Sequence, residues 1–492
     1  MFKMKTEPYA HQQECFDLSK DQKSFAILLE QGLGKTKVAL DTAAFLHDRG
    51  DIDGLLIVAP NGVHANWILR EIPTHMPIEN GYTSLLFRSD RIDSQKFKKA
   101  WDFLLDYRGL SILSVNVEAV SQSQNAFAVC EKFLKRRKCM MVVDESSRIK
   151  TPSATRTKKV IRLGRLAKYR RIMTGTPVTQ SPFDLYSQFM FLDPGILGFT
   201  SFYTFKHHFG VWEKKVAHQG ERLQQYEDLI RYVRLDELKR LVADSSFRRT
   251  KNECLDLPPK IYQVVPIRMS PAQEKLYKRL NEEGILEFDD LSLLAPNQLV
   301  RLIRLQQVTG GFVPNDEANS EGKRTSGIVQ EGVPIPGPNP KLDYLMDALS
   351  EDYSGKSIVW ARFRLEISAI AEALRKKFGY RSVAELHGGI TGKDREESVD
   401  RFQSDPTCRF LIGQQQSGIG ITLHAADNVF YFSNSFSYEQ RYQSEDRAHR
   451  IGLDHSVVYV DLTMEGTVDE KVRQVLLSTK RVADSVTEGR TA

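Results

Sequence analysis

A glycine-rich segment near the N-terminus has the residue types that bind phosphate groups. Residues 30–36 read Glu-Gln-Gly-Leu-Gly-Lys-Thr, follow the apolar run 24–29 and precede helix-like spacing. Backbone N–H groups of such a turn, together with a helix N-terminus, form a cradle for anions. We therefore assign nucleotide binding to Gly32, Leu33, Gly34, Lys35 and Thr36.

Two side chains of this segment have distinct expected roles. Lys35 would reach the β- and γ-phosphates of ATP, and the Thr36 hydroxyl would be a ligand of Mg²⁺. The first glycine of the usual phosphate-loop pattern is missing, because Leu29 stands there. A chance Gly-Lys-Thr at a helix start is the alternative interpretation.

A second chemical signal is the pair Asp144 and Glu145, which ends the apolar run 139–143. After a phosphate loop, this arrangement suits Asp144 as a Mg²⁺ ligand and Glu145 as the group that orients and deprotonates the attacking water. The alternative is a helix N-cap with first-turn negative charge. The preceding phosphate loop favours catalysis.

The third signal is Arg447 and Arg450, whose spacing predicts that they share one helical face. An arginine supplied across an interface can neutralise transition-state charge on the γ-phosphate. Taken alone, such a pair is usually a solvated helix face or a salt-bridge ladder, and the other two signals give it its weight.

Short apolar runs alternate with amphipathic stretches in both halves of the chain, which predicts βαβ units, parallel sheets and an α/β fold. Ligands in such sheets bind at the carboxyl ends of strands. The predicted strands are 24–29, 54–59, 110–115 and 139–143, then 357–360, 383–386, 409–413, 428–432 and 457–462.

The domain organisation predicted from these elements is two lobes, 1–255 and 256–492. Residues 182–250 lack a convincing strand and predict a helical insertion in the first lobe. In the second, residues 270–340 predict a helical insertion followed by a long mobile loop from Asn315, and residues 466–487 a closing helix. Leu257-Pro258-Pro259 marks the boundary, because proline interrupts regular structure.

Composition restricts the class of protein without identifying it. Of 492 residues, 69 are Lys or Arg and 63 are Asp or Glu, a net charge of +6 that permits nucleic-acid binding. The five cysteines are scattered, which argues against a zinc site or a disulfide framework. With no membrane-length apolar run and no signal-like N-terminus, we expect an intracellular protein, cytoplasmic or nucleoid-associated, or encoded by a virus and acting in its host cell.

Taken in order, these motifs resemble those of the Swi/Snf-type DNA-dependent ATPases of helicase superfamily two, and the resemblance runs from Pro8 to Val486. It implies two RecA-like lobes sharing one ATP. The resembling motifs of the first lobe are residues 8–12, 30–36, 57–67, 144–150, 173–177 and 247–260. Those of the second are 386–395, 417–423, 443–452 and 467–480.

The resemblance also assigns roles to single residues. Gln12 would read the adenine base, and Gly420 belongs to the glycine turn at the lobe interface. Coupling of hydrolysis to lobe movement falls on Thr174, Thr176 and Gln443. The candidates for gripping the nucleic-acid backbone are Asn66, Asn116, Lys150, His387, Arg395 and Thr422.

Several positions depart from the family pattern. Leu29 and Gln31 replace Asp and Met, and Ser146-Ser147 replaces Gly-His after the carboxylates. Phe436-Ser437-Tyr438 stands where Trp-Asn-Pro is usual, and Leu453 replaces a terminal Gln. Since none of these changes removes a group that handles phosphate, metal or water, we expect an active ATPase that uses ATP and Mg²⁺.

The expected function is an ATP-driven translocase, acting as a monomer, that grips the double-stranded DNA backbone independently of sequence and need not separate the strands. Two alternatives stay open at this stage. One is a strand-unwinding helicase on DNA or RNA, which would need a wedge. The other is an ATP-gated nucleic-acid-binding switch, motivated by Ser146-Ser147. A simple P-loop kinase or GTPase would have no use for Arg447 and Arg450.

Overall fold

Two separate parallel sheets organise the chain, one in each half of the sequence. The computed structural model describes residues 2–77, 81–219, 222–282, 296–314, 332–390, 393–418, 421–450 and 453–487. Residues 1–255, with the stretch from Arg481 onward, form one unit, lobe one, and residues 256–480 form lobe two. Within the described ranges, no helix has the length and apolar character needed to cross a membrane.

Lobe one contains a seven-stranded sheet in which every neighbouring pair runs parallel, with the order β3-β4-β2-β5-β6-β1-β9. Its central strands are buried on both faces, which explains their continuous apolar sequence. The strands of lobe one are β1 Ser24–Leu29, β2 Gly54–Ala59, β3 Tyr82–Leu86, β4 Leu110–Asn116, β5 Cys139–Asp144, β6 Tyr169–Met173, β7 Gly210–Gln219, β8 Arg222–Tyr232 and β9 Ser246–Arg249.

The helices of lobe one fill the connections between these strands. They are α1 Ala10–Ser19, α2 Lys35–Asp48, α3 Val63–Asn66, α4 Ile72–His75, α5 Gln95–Asp106, α6 Val117–Gln122, α7 Gln124–Arg136, α8 Thr155–Gly164, α9 Leu185–Leu192, α10 Pro194–Leu197, α11 Phe202–Phe209, α12 Leu235–Ala243 and α13 Lys251–Cys254. Between α3 and α4 lies a π-helical turn, Trp67–Glu71.

Side-chain caps fix where several of these helices begin. Ser94 accepts a hydrogen bond from Phe97 N at 3.1 Å and starts α5. Asn116 Oδ1 accepts from Ala119 N at 2.6 Å and starts α6. Such caps satisfy backbone N–H groups that have no partner within the helix.

The expectation of a wholly helical insertion over residues 182–250 is wrong. Strands β7 and β8 pair antiparallel within that segment and form a hairpin of their own. Both strands mix charged and polar residues with apolar ones, so no continuous apolar run marks either strand in the sequence.

Lobe two contains a six-stranded sheet in the order β10-β17-β16-β13-β15-β14, again with all neighbouring pairs parallel. Both lobes are therefore parallel α/β units, which confirms the predicted RecA-like fold class. The strands of lobe two are β10 Ile261–Ile267, β11 Phe312–Pro314, β12 Gly332–Pro334, β13 Ser357–Trp360, β14 Val383–Leu386, β15 Phe410–Gly413, β16 Asn428–Tyr431 and β17 Val458–Met464.

The helices that begin in lobe two are α14 Pro271–Glu282, α15 Pro296–Thr309, α16 Pro340–Glu351, α17 Arg364–Phe378, α18 Lys393–Ser404, α19 Tyr438–Ala448 and α20 Val468–Thr487, and the part of α20 from Arg481 belongs to lobe one. Of the expected mobile loop, residues 315–331 lie outside the described residues. The expectation was wrong for residues 332–334, because β12 pairs there with β11.

Candidate functional site

The phosphate loop follows β1 and leads directly into α2, as its sequence predicted. Gly32 and Gly34 have φ angles of 89° and 80°, a left-handed conformation that favours glycine. At position 34 a Cβ atom would lie 2.2 Å from Gln12 Nε2, so a larger residue there would displace that side chain. The loop conformation therefore requires glycine at both positions.

Lys35 is held at the carboxyl end of β1. Its side chain is buried, with 9% of the residue exposed, and Nζ donates to Leu29 O at 3.1 Å and Glu30 O at 3.5 Å. The ammonium group thus lies beneath the loop, where a nucleotide phosphate could replace these carbonyl partners. Lys251 also approaches the loop, because its Cε lies 3.7 Å from the position of a Cβ at Gly32.

Gln12 supports the phosphate loop from α1. Its Nε2 donates to Leu33 O at 3.1 Å, and its Oε1 accepts from Tyr9 N at 3.1 Å. The His11 ring Nε2 lies 3.0 Å from the same Leu33 oxygen. The structure therefore places Gln12 at the nucleotide loop, and its role in reading adenine stays a prediction.

Asp144 ends β5 as a buried carboxylate with two hydrogen-bond donors. The Trp67 indole Nε1 donates to Oδ2 at 2.9 Å, and Glu145 N donates to Oδ1 at 3.0 Å. Burial raises the pKa of Asp144, whereas the Trp67 hydrogen bond and the positive charge of Lys35 act in the opposite direction. Asp144 thus lies within the electrostatic field of the phosphate-loop lysine.

Glu145 follows immediately and has an unusual backbone, with φ at 49°. Its Oε2 accepts a hydrogen bond from the Thr174 hydroxyl at 3.3 Å, and Thr174 Oγ1 in turn accepts from Thr176 N at 3.1 Å. The next element is a four-residue 3₁₀ turn, Ser146–Ile149, without a side-chain cap. The N-cap interpretation of this carboxylate pair is therefore wrong.

The loop after β6 lies against the phosphate loop. At Gly175 a Cβ atom would lie 3.0 Å from Gln31 N, which leaves little room for any other residue. The predicted coupling residues Thr174 and Thr176 flank this contact. Lobe one thus brings Lys35, Asp144, Glu145 and Thr174 together at the carboxyl ends of β1, β5 and β6, as the strand-end rule predicts.

These side chains fit a nucleotide with a divalent cation. The Thr36 hydroxyl in the first turn of α2 and the Asp144 carboxylate are oxygen donors, which Mg²⁺ prefers. The Trp67 indole donates to Oδ2 of Asp144 and so orients the carboxylate, as a supporting residue around a metal ligand does. Lys35 and the backbone of the loop can hold phosphates.

The sequence interpretation missed three supporting residues of lobe one. Trp67 contacts Asp144, although only its place in a motif was noted. Gln188 Oε1 accepts a hydrogen bond from the Ser146 hydroxyl, and Gln188 Nε2 donates to Pro177 O at 2.7 Å. A glutamine within the apolar helix α9 was the available signal for that residue. Asp184 accepts from Thr179 N at 2.8 Å, and no sequence pattern indicated it.

The predicted nucleic-acid residues of lobe one differ in their surroundings. Asn66 is half-buried at the end of α3. Asn116 is the N-cap of α6, so its carbonyl oxygen already has a structural partner. Lys150 donates to the Thr179 hydroxyl and lies 3.9 Å from Asp184. Contact with a polymer stays a prediction for all three.

In lobe two, the expectation that Arg447 and Arg450 share a helical face is wrong, because α19 ends at Ala448. Arg447 is 1% exposed and donates to Ile421 O at 3.2 Å. Arg450 is half-buried beyond the helix end and donates to the Thr422 hydroxyl at 2.5 Å. Both guanidinium groups still contact one short segment of lobe two, residues 421–422, in the connection between β15 and β16.

Buried ion pairs hold α19 in place. Glu445 accepts from Arg441 Nε at 2.8 Å, from Tyr262 OH at 2.7 Å and from Lys260 Nζ at 3.2 Å. Arg441 also binds both oxygens of Asp461. Burial alone would raise the pKa of Glu445, but the charges of Lys260 and Arg441 outweigh it and lower that pKa to about 2.

The remaining predicted residues of lobe two have local partners. His387 Nδ1 lies 3.1 Å from Gly389 N, and Arg395 donates to Ser417 O at 2.7 Å. Gln443 is buried and donates to Glu439 at 3.4 Å. Gly420 lies outside the described residues.

Comparison with known proteins gives two family matches. Residues 11–308 match the SNF2-related domain, and residues 340–452 match the helicase conserved C-terminal domain.

Individual relatives are larger proteins. The DNA annealing helicase and endonuclease ZRANB3 of Bos taurus is 28% identical over 468 residues, which are 94% of this chain and 38% of that protein. The ATP-dependent helicase brm of Drosophila melanogaster is 26% identical over 460 residues, which are 90% of this chain and 26% of that protein. The chain thus spans less than two fifths of either relative.

Among solved structures, the Sulfolobus solfataricus SWI2/SNF2 ATPase core in complex with dsDNA is 23% identical, with 99% of this chain and 94% of that chain covered and a TM-score of 0.42. The family assignment rests on the domain matches, since the SNF2-related domain alone accounts for residues 11–308 of 492. The chain belongs to the SNF2-related family of helicase-like, ATP-hydrolysing enzymes.

Proposed function

We propose that this enzyme is an ATP-dependent translocase on double-stranded DNA that moves without obligatory strand separation. The observation that carries the proposal is the hydrogen bond between Glu145 and Thr174, beside the contact of Gly175 with the phosphate loop. Because the group that would activate water also holds the next loop, hydrolysis and loop position depend on each other. Membership of the SNF2-related family supports DNA as the polymer in this proposal.

The proposed chemistry assigns one task to each side chain. Lys35 binds the β- and γ-phosphates, and Thr36 with Asp144 would hold Mg²⁺, which neutralises phosphate charge when bound. Glu145 orients the attacking water and accepts its proton. Arg447 and Arg450 stabilise charge that develops on the γ-phosphate.

Motion follows if nucleotide and polymer prefer the same conformation of the enzyme. A ligand shifts a conformational equilibrium only by its difference in affinity for the two states. ATP and the Mg²⁺ ion favour one state and hydrolysis removes that preference, so repeated turnover alternates the two. Contacts to phosphates make the grip independent of sequence and sensitive to salt.

The first experiment compares ATP hydrolysis with duplex DNA, single-stranded DNA and RNA at stated salt concentrations. Duplex DNA is expected to stimulate most, and ATP-driven displacement of a third strand from a triplex is expected to accompany it. Absence of duplex stimulation would defeat the proposal. Strong hydrolysis without triplex displacement would instead support an ATP-gated binding switch.

Two variants separate the assigned roles. Lys35→Ala should abolish turnover, because the phosphates lose their buried cation. Arg447→Ala should reduce hydrolysis by roughly 10³-fold or more while duplex binding stays close to that of the unmodified enzyme. An equal loss of DNA binding in the second variant would show that Arg447 does not act on the nucleotide.

A strand-unwinding activity is a second candidate because of the β7–β8 hairpin. Its side chains Val216, Tyr226 and Ile230 are 57%, 43% and 53% exposed, and an exposed aromatic ring can stack on an unpaired base. We propose a forked duplex as the test. Unwinding that Tyr226→Ser abolishes, with duplex-stimulated hydrolysis retained, would favour this activity.

A further inference from the structure

A buried serine–glutamine pair connects the catalytic carboxylates to the loop after β6. Ser146 directly follows Glu145 and is fully buried, as is Gln188 on α9. The Ser146 hydroxyl donates to Gln188 Oε1 at 2.7 Å. The family pattern has glycine at position 146, which has no hydroxyl, so this contact depends on a departure of this chain.

The Gln188 amide uses both of its ends. While Oε1 accepts from Ser146, Nε2 donates to Pro177 O at 2.7 Å and to Asp184 O at 2.8 Å. A flipped amide would place its oxygen against two carbonyl oxygens, so these contacts fix its orientation. Gln188 therefore joins the turn after β5 to the end of the Thr174–Pro177 loop in one geometry.

The connection continues to Lys150. Asp184, one turn before Gln188, accepts from Thr179 N, Thr179 Oγ1 and Gln180 N, each at 2.8 Å. The Thr179 hydroxyl oxygen also accepts a hydrogen bond from Lys150 Nζ. Asp184 and Gln188 thus hold residues 177–180, and the predicted grip residue Lys150 is attached to that segment through Thr179.

Such a network suits transmission better than packing alone. Apolar contacts tolerate sliding, whereas hydrogen bonds in a buried site are directional and costly to leave unmade. A shift of the Glu145 turn would either move Gln188 and the Pro177 carbonyl with it or break a buried hydrogen bond.

We propose that Ser146 and Gln188 are a positioning pair that transmits the state of the Glu145 turn to residues 177–180 and Lys150. This inference rests on the proposed function, since it describes how polymer binding would reach the site of hydrolysis. Neither residue touches the nucleotide in this assignment. Their loss should therefore change coupling rather than nucleotide binding.

The test replaces both partners at once, with Ser146→Gly and Gln188→Leu in one protein. The double change leaves no Ser146 hydroxyl without its acceptor, so it strands fewer buried polar groups than Gln188→Leu alone, and we expect the protein to fold. We expect duplex stimulation of kcat to fall roughly tenfold, within the usual range of coupling between sites. KM for ATP and Kd for duplex DNA should stay close to those of the unmodified enzyme.

Lobe two offers a matched control in the buried pair Ser270 and Gln273. Ser270 Oγ donates to Gln273 Oε1 at 3.1 Å, and Gln273 Nε2 donates to Val308 O at 3.1 Å. The same double change there, Ser270→Gly with Gln273→Leu, removes the matching Ser–Gln and Gln–carbonyl bonds, together with the capping bonds of this pair at the start of α14, without touching the carboxylate turn. Duplex stimulation should be unchanged in the control.

The outcomes separate this inference from the proposed function. Full stimulation in the Ser146→Gly, Gln188→Leu protein would show that the pair is structural only. A parallel rise in KM for ATP would show that it shapes the nucleotide site instead, which also overturns the inference. If the double variant does not fold, the single variant Ser146→Ala, which keeps the Gln188–Pro177 bond, must lose part of the stimulation. An unmodified enzyme that duplex DNA does not stimulate overturns the proposed function and this inference together.

Discussion

The indole of Trp67 should set the affinity of the active site for metal-bound ATP. Trp67→Phe keeps a buried aromatic ring but removes the N–H group that donates to Asp144 Oδ2 at 2.9 Å. Hydrogen bonds to charged groups contribute about 1.5–3 kcal/mol, and 1.4 kcal/mol corresponds to a factor of ten. We therefore expect KM for Mg·ATP to rise roughly 10- to 100-fold, as is usual for residues that support a metal ligand.

The assay is steady-state ATP hydrolysis with duplex DNA at fixed ionic strength, combined with ATP binding measured in EDTA. Metal-free ATP binding should change by no more than about twofold, because Lys35 and the phosphate loop are untouched. Trp101→Phe is the control, since Trp101 is also buried in lobe one but stacks on Phe97 instead. An unchanged KM for Mg·ATP would refute the reasoning, and equal losses with and without metal would show that Trp67 shapes the whole pocket.

The remaining predictions concern stability. Arg441→Met leaves the buried carboxylates Glu445 and Asp461 without their shared partner. Urea titrations should show that the free energy of unfolding of lobe two falls by about 3–5 kcal/mol. A loss under about 1 kcal/mol would contradict a stabilising role of these ion pairs. Burial raises the pKa of Glu366 from 4.5 to about 7. Between these pH values the folded protein retains a proton that the unfolded chain releases, so the free energy of unfolding should fall by roughly 3 kcal/mol as the pH rises from 4.5 through 7. Glu366→Gln should flatten that slope, which unfolding at several pH values will show. Asn116→Ala should cost about 1 kcal/mol of thermal stability through the lost cap of α6, and a greater effect on duplex affinity than on stability would assign Asn116 to the polymer instead.

Buried strands were predictable because their sequence is apolar along its whole length. The bounds of β1, β2, β13 and β14 agree with the predicted runs. By contrast, β10 at the edge of its sheet is largely exposed and contains Pro266, so its mixed sequence indicated no buried strand.

The nucleotide side of the site could be anticipated because the topology does most of the positioning. Parallel strands place their carboxyl ends at one edge, so residues after β1 and β5 had to meet there. Partners such as Trp67 and Gln188 come from other segments and meet the site only through tertiary approach. Local spacing contains no information on those distances. The end of α19 before Arg450 also escaped prediction, since the first residue that signals a helix end, Gly452, stands four positions after Ala448.

The left-handed backbone of Glu145 has a consequence for attempts to make the enzyme heat-resistant. A non-glycine residue in that conformation is less favourable than an ordinary one by about 1–2 kcal/mol. Selection for thermal tolerance alone should therefore favour glycine or asparagine at this position, and would recover robust proteins that no longer hydrolyse ATP. A library screened for heat survival needs a simultaneous screen for turnover to retain the glutamate.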